Sequence, residues 1–327
     1  MESQTPDPTL SSVPAPAVAT ALATLAEEAR AFVGAAKAPA TLRAYRSDWA
    51  HFEAWCGAHG ADALPASPDT VALYLTDLAR VAKPSTLQRR VSSISQAHQA
   101  AGHPTPTSDL RVRTTLAGIR RTLGTAPEQK TPALTADVRT MVEAMPDTLA
   151  GARDRALLLL GFAAALRRSE LVGLDVADVA EQNDGLVITV RRSKTDQDAV
   201  GRRVGVPYGS HPATCPVRAV RAWRAAAGID DGPVFHPVDR HGRVGEARLS
   251  GTAVALIVKR AAARVGLDPD QFAGHSLRAG LATSAAAAGA SERAIMAQTG
   301  HKSLPMVRSY IREGSLFRDN AAALVGL

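Results

Sequence analysis

Aromatic residues are scarce, at 4% of the 327 positions. A core short of Phe, Trp and Tyr must be filled by Ala, Leu and Val, a composition that favours helices. Cysteine is nearly absent. Cys56 and Cys215 are the only two, which excludes a disulfide framework and fits a reducing compartment. No apolar run reaches the length of a bilayer span; the longest, Ala156 to Leu166, is flanked by arginines and reads as a buried helix. Met1 to Pro16 has no basic start followed by an apolar stretch, so no secretory leader is expected, and its Pro, Ser and Thr content reads as a disordered tail. The expectation is a soluble cytoplasmic protein with no membrane partner.

Acidic residues are outnumbered, 31 Asp and Glu against 38 Lys and Arg, for a net charge of +7. That excess suits a polyanionic partner without requiring one. The chain is otherwise ordinary in composition, with 46% hydrophobic and 21% charged residues, and its length predicts two domains. Several enzyme signatures are missing. There is no phosphate-cradling G-x-x-x-x-G-K loop, no dinucleotide fingerprint and no nucleophile elbow. His236, Asp239 and His241 crowd a Pro/Gly turn, but no further ligand follows at a regular spacing, so no metal centre is expected.

What is present falls into two halves. After the tail (1–16), residues 17–123 read as a bundle of four or five short helices without a strand signal. Leu42, Tyr45, Trp49, Phe52 and Trp55 recur at spacings of three or four, and Ser67-Pro68-Asp69 and Lys83-Pro84-Ser85 are helix starts. A fourth helix is expected from about Ser108 to Leu123, and a weaker one over Ala17 to Ala35. Arg43, Arg46, Lys83, Arg89, Arg90, Arg111, Arg113, Arg120 and Arg121 are spread along this bundle among Gln88, Ser92, Ser95 and Gln96. Singly they read as solvated surface. As a set, Arg43, Lys83, Arg89, Arg90, Arg120 and Arg121 are candidates for a DNA-gripping face. Residues 124–134 lose all apolar period and read as a linker. Residues 135–327 then read as mostly helical with a small antiparallel sheet: Leu186 to Val190 is a β-rich run, Arg203 to Val206 its return strand, and Ser193 to Gly201 the turn between. The fold class expected is mainly α.

Chemistry-bearing residues lie in the second half. Leu166-Arg167-Arg168-Ser169-Glu170-Leu171 follows a strongly apolar helix, and Arg167 and Glu170 can share one helical face, the carboxylate orienting the guanidinium. Gly274-His275-Ser276-Leu277-Arg278 places an imidazole three residues from a second arginine, near a helix start. Gly300-His301 follows a helix, and Tyr310 comes nine positions later. Lys194 sits in the turn after the β run. Each has a plainer explanation taken alone: a surface cation, a capping or core histidine, a core aromatic.

In this order the set resembles the tyrosine recombinases, the phage-integrase family, across nearly the whole chain from about Ala17. That family's pattern is an arginine in an L-R-x-S-E-L-like helix, a lysine on a β-hairpin, H-x-x-R, G-H, and a tyrosine about nine residues on; every element stands here at the right separation. The amino-terminal half is most similar to Cre-like members, around Phe52-Glu53-Ala54-Trp55-Cys56 and Leu64-Pro65-Ala66-Ser67-Pro68. His301 departs from the Trp that Cre-like enzymes can carry, and it still donates a hydrogen bond. The resemblance implies a site-specific recombinase that cuts and rejoins duplex DNA through a 3′-phosphotyrosyl link, with neither metal nor ATP as cofactor. A type IB topoisomerase and a non-catalytic DNA-binding regulator are the alternatives.

Elementary chemistry agrees with those roles. Arg167 and Arg278 would clamp the non-bridging oxygens of a phosphodiester, a contribution of roughly 3–4 kcal/mol per donor, with His301 a third donor. A phenol with a pKa of about 10 needs such cations or a base to attack; Tyr310 would be the nucleophile, His275 the base, and Lys194 the acid that protonates the 5′-oxygen. Glu170 supports Arg167. Partners implied are a double-stranded recombination site and further copies of the chain, a dimer on one site and a tetramer in synapsis, with the protein nucleoid-associated. Leu316, Phe317, Ala321, Leu324 and Val325 are apolar at near-helical spacing, a face that needs a surface to cover it, either on its own domain or elsewhere; the resemblance to Cre-like recombinases implies that it docks on a neighbouring copy.

Overall fold

The computed structural model describes residues 24–29, 31–32, 36–126, 130–191, 201–301 and 303–314, the last three by backbone alone. The chain divides into two compact units, Met1–Pro127 and Glu128–Leu327. No helix among the described residues is long and apolar enough to cross a membrane.

The first unit is built from helices α1 (Pro39–Ala58), α2 (Pro68–Leu78), α3 (Pro84–Ala100) and α4 (Leu110–Leu123). A proline opens each of the first three, where its missing N–H costs nothing, and Ser67 Oγ caps α2 by accepting from Thr70 N. Phe52, Tyr74, Leu75, Leu87, Ile94 and Val112 fill the core. The expected apolar face of α1 is there, with Phe52 buried and Trp49 and Trp55 half-buried. One buried position on α1 is charged: Asp48 accepts from Arg89 Nε at 2.7 Å and Nη2 at 3.0 Å, and its own carbonyl accepts from Arg90. Buried His98 is held in one tautomer, since Nε2 must accept from Ala66 N and Nδ1 then donates to the Ile94 carbonyl. The helix expected over 17–35 lies largely outside the described residues; 24–29 and 31–32 are helical.

The second unit carries α5 (Thr135–Glu143), α6 (Leu149–Ala163), α7 (Arg168–Gly173), the strands β1 (Val179–Gln182), β2 (Gly185–Val190) and β3 (Arg202–Pro207), then α8 (Pro216–Ala227), α9 (Gly251–Arg264), α10 (Gly274–Ala287), α11 (Glu292–Thr299) and α12 (Leu304–Gly314). The sheet is antiparallel in the order β1-β2-β3, with Ile188 opposite Val179 on one side and Val204 on the other. Leu186, Ile188 and Val190 face inward at period two onto a core that includes Trp223, Phe235 and Leu157. The mainly helical class with a small sheet is therefore observed, with β1 a strand that is not read from the sequence. β1 has a single inward apolar residue, Val179, followed by three exposed ones, too little alternation to register as a strand. The stretch read as a linker joins the second unit in its later part: Thr131 N and Ala133 N donate to the carbonyls of Gln271 and Ser276, and Ala133 is fully buried. Gly280 makes that approach possible, because a Cβ there would come 1.8 Å from the Ala133 carbonyl oxygen.

Candidate active site

Helix α6 ends in a backbone turn that begins the site. Ala165 adopts φ +49°, a left-handed conformation that costs a non-glycine residue about 1 kcal/mol. Its carbonyl is thereby presented to Arg278. Two residues later, Arg167 is the N-cap of α7 rather than a member of its face. Glu170, at the third helical position, accepts from Arg167 N at 2.9 Å and from Arg167 Nη1 at 2.5 Å. The expected pair is present, but it is made by capping: the same carboxylate closes the helix start and fixes the guanidinium. Glu170 is buried, and burial alone would raise its pKa; the Arg167 backbone N–H and the guanidiniums of Arg167 and Arg202 outweigh it and leave the net shift downward.

Helix α10 supplies the next pair. His275 stands in its first turn and Arg278 one turn further in. Arg278 is fully buried. Its Nη1 donates to the Ala165 carbonyl at 2.7 Å, while Nε and Nη2 are buried with no hydrogen-bond partner among the described residues. Burial, then Arg167, lowers the Arg278 pKa to about 10. A buried guanidinium with two idle donors is costly unless an anion arrives to meet it.

The nucleophile candidate lies against this pair. Tyr310 on α12 is 4% exposed, and its hydroxyl is 3.0 Å from His275 Nε2. The His301 ring lies 5.8 Å from the Tyr310 ring, tilted by 32°, and its Nδ1 is buried without a partner among the described residues. Desolvation, followed by the field of Arg278 and Arg167, holds the His275 pKa below the usual value although the residue is exposed. The same causes, with His275 and Arg202 added, bring His301 down to about 4. Both imidazoles are thus set neutral before a substrate enters. Neutral His275 can accept the phenolic proton.

The structure brings Arg167, Glu170, His275, Arg278, His301 and Tyr310 into one centre, entirely within the second unit. Lys194 lies outside the described residues. The basic residues of the first unit divide. Arg89 and Arg90 are tied to Asp48, and Arg90 also donates to the Tyr74 hydroxyl at 3.0 Å; the Arg90 side chain is 14% exposed, whereas that of Arg89 stays 49% exposed. Arg43, Lys83, Arg120 and Arg121 are exposed. His236 sits between two carbonyls, those of Gly245 and Pro233, each 2.8 Å from a ring nitrogen. Arg202 and Gln298 escape sequence reasoning. The return strand expected from Arg203 begins one residue earlier, at Arg202; strand parity then sets Arg202 on the inward face with Val204 and Val206.

Comparison with known proteins fits this centre. The phage integrase family model matches residues 134–315. An integrase/recombinase XerD homolog of Selenomonas ruminantium is 44% identical over 87% of this chain and 85% of its own length. The Cre recombinase of Escherichia phage P1 is 27% identical, over 79% of this chain and 80% of its own. Among solved structures, a lambda integrase dimer bound to a COC′ core site superposes with a TM-score of 0.56 at 19% identity, covering 88% of this chain and 94% of that one. The likeness of fold extends to a XerH recombinase complex, TM-score 0.59 at 16% identity, covering 80% and 73%. The chain belongs to the phage integrase family, the tyrosine-type site-specific recombinases.

Proposed function

We propose that this recombinase breaks and reseals one strand of duplex DNA at a time by attack of the Tyr310 hydroxyl on a phosphodiester. The observation that carries the reading is the 3.0 Å contact between His275 Nε2 and the Tyr310 hydroxyl, beside a buried Arg278 with two unused donors. The phenolic proton passes to His275. The bond from phosphorus to the 5′-oxygen breaks as the bond to the Tyr310 oxygen forms, leaving a 3′-phosphotyrosyl link. Arg167, Arg278 and His301 stabilise the charge on the non-bridging oxygens, and Lys194 gives the departing 5′-oxygen its proton. The link preserves the phosphodiester's energy, so reversal needs no added nucleotide.

Double-stranded DNA is the partner of this reading, supported by the DNA-bound lambda integrase and XerH structures that share the fold. Arg43, Lys83, Arg120 and Arg121 of the first unit contact phosphates. Two copies occupy one site and four form the synapse, joined by the apolar residues Leu316, Phe317, Ala321, Leu324 and Val325, which lie outside the described residues. An apolar cavity of about 460 Å³ between α6, α10 and α11, lined in part by Leu159, Phe162, Leu281, Ala285 and Ile295, is the receiving face on the neighbouring copy.

A pool of nicked duplexes with randomised arms tests this and lets the enzyme select its own target sequence. Cleavage beside the nick releases a short fragment and traps the enzyme, so wild-type protein yields an SDS-stable adduct whose DNA can be sequenced. Tyr310→Phe should bind the recovered duplex with unchanged affinity and form no adduct. An adduct from that variant moves the nucleophile elsewhere.

A further inference from the structure

One guanidinium in this centre has none of the roles above. Arg202 opens β3 and turns inward, its side chain 19% exposed. Its Nη2 donates to Glu170 Oε2 at 3.2 Å, and its Nη1 to the Gln298 carbonyl at 3.1 Å. Its Nε is buried without a partner among the described residues and lies against Gly300, where a Cβ would come within 2.8 Å. Gly300 is the left-handed C-cap of α11, at φ +64°, and the next residue is His301. Glu170 in turn holds Arg167. The two ends of one planar group therefore grip the carriers of two separate donors, Arg167 at the start of α7 and His301 at the end of α11.

We propose that Arg202 is a positioning residue that fixes the separation of Arg167 and His301 across the site. The proposal rests on the phosphoryl-transfer reading of that site. Both terminal nitrogens are already engaged and Nε faces backbone, so Arg202 is an anchor rather than a phosphate ligand. Its planar fork suits the task, because it meets two acceptors at a set distance, whereas an ammonium is a point charge on a flexible stem. Gly300 is required on two counts: its φ reverses the chain, and its bare Cα leaves room for the guanidinium. The fold does not depend on the contact, since the Gln298 amide separately donates to the carbonyls of Ala163 at 2.7 Å and Gly205 at 3.0 Å. Removing Arg202 loosens the site and leaves α11 attached.

The test uses the full chain and the nicked duplex selected by the wild type. Arg202→Met, which keeps the stem and loses the fork, should slow single-turnover adduct formation about 100-fold at saturating DNA, the scale expected when catalytic groups lose about an ångström of registration. Half-saturation should stay within threefold. Arg202→Lys should recover little of the rate, and Arg202→Met combined with Glu170→Gln should be no slower than the slower single variant, as expected for two parts of one linkage. In the DNA-free protein, NMR of the imidazoles gives a second reading. His301 faces Arg278, Arg167, His275, Arg202 and Tyr310, and Arg202→Met should shift its resonances and raise its titration midpoint while moving His275 less. Wild-type rates in Arg202→Met, full rescue by lysine, additive losses, or an unmoved His301 would each overturn the proposal. Failure of the wild type to form any adduct would instead overturn the phosphoryl-transfer reading, with the His301 resonances still deciding the linkage.

Discussion

Burial and the neighbouring guanidiniums hold both histidines of this centre below the ordinary imidazole pKa. His301 has a pKa of about 4 in the folded protein, against 6.5 for the ordinary side chain. Between those values the unfolded chain binds the extra proton and the folded one does not. Stability therefore rises with pH across the window: the contribution is whole above 6.5, is lost as pH falls toward 4, and is flat below. Urea unfolding over a pH series should show a shallower loss of stability between those limits in His301→Gln than in the wild type. Equal losses in both would assign the titration to other groups. The residues of this scale that were legible in the sequence share one property: each stands in a short run, such as His275-Ser276-Leu277-Arg278 or Gly300-His301, whose spacing survives without a structure. Arg202 belongs to no such run. Its role comes from contacts to Glu170, 32 positions away, and to Gln298, 96 away, which no local pattern encodes.

At the scale of elements, helix boundaries followed start and stop chemistry closely. Pro68, Pro84 and the cap at Ser67 marked their helices within a residue or two, because capping is local. The close approaches were invisible, since a glycine inside a helix reads as a weakness rather than a fit. Gly280 is such a case: α10 has no side chain there because the chain at Ala133 passes over it. Gly280→Ala should lower the unfolding free energy by about 3 kcal/mol, the upper range for overpacking, despite alanine's better helix propensity. A urea midpoint equal to or above the wild type would show that the Ala133 segment can move aside freely. The kind of pairing that joins Arg167 to Glu170 also escaped the sequence. The spacing of three residues was right, but a helical face and a helix cap share that spacing, and here the cap applies.

At the scale of the whole molecule, the first unit carries the exposed cations Arg43, Lys83, Arg120 and Arg121, and the second the guanidiniums of Arg167, Arg202 and Arg278 gathered around His301. The arginines and lysines of the first unit were legible as a set, but not which of them are tied up within it, because that depends on Asp48, a carboxylate on α1 that is 2% exposed. Binding to duplex DNA should weaken with salt, with log K falling by about 0.9 per phosphate contacted. Replacing Arg43, Arg120 and Arg121 together by alanine should lower that slope by about 2 to 3. Replacing Arg89 or Arg90 should leave the slope nearly unchanged and reduce the stability of the first unit, since each leaves the buried Asp48 carboxylate short of a partner. Fluorescence-anisotropy titrations across a salt series separate the two groups. A slope indifferent to Arg43, Arg120 and Arg121 would remove them from the interface. The decisive measurement is made on the enzyme itself. Adduct trapped on the selected nicked duplex is digested with nuclease and trypsin, and the modified peptide is sequenced by mass spectrometry. A nucleotide carried through its 3′-phosphate on Tyr310, in the peptide that ends before Glu313, is the expected result; the same mass on any other residue, or linkage through a 5′-phosphate, would contradict it.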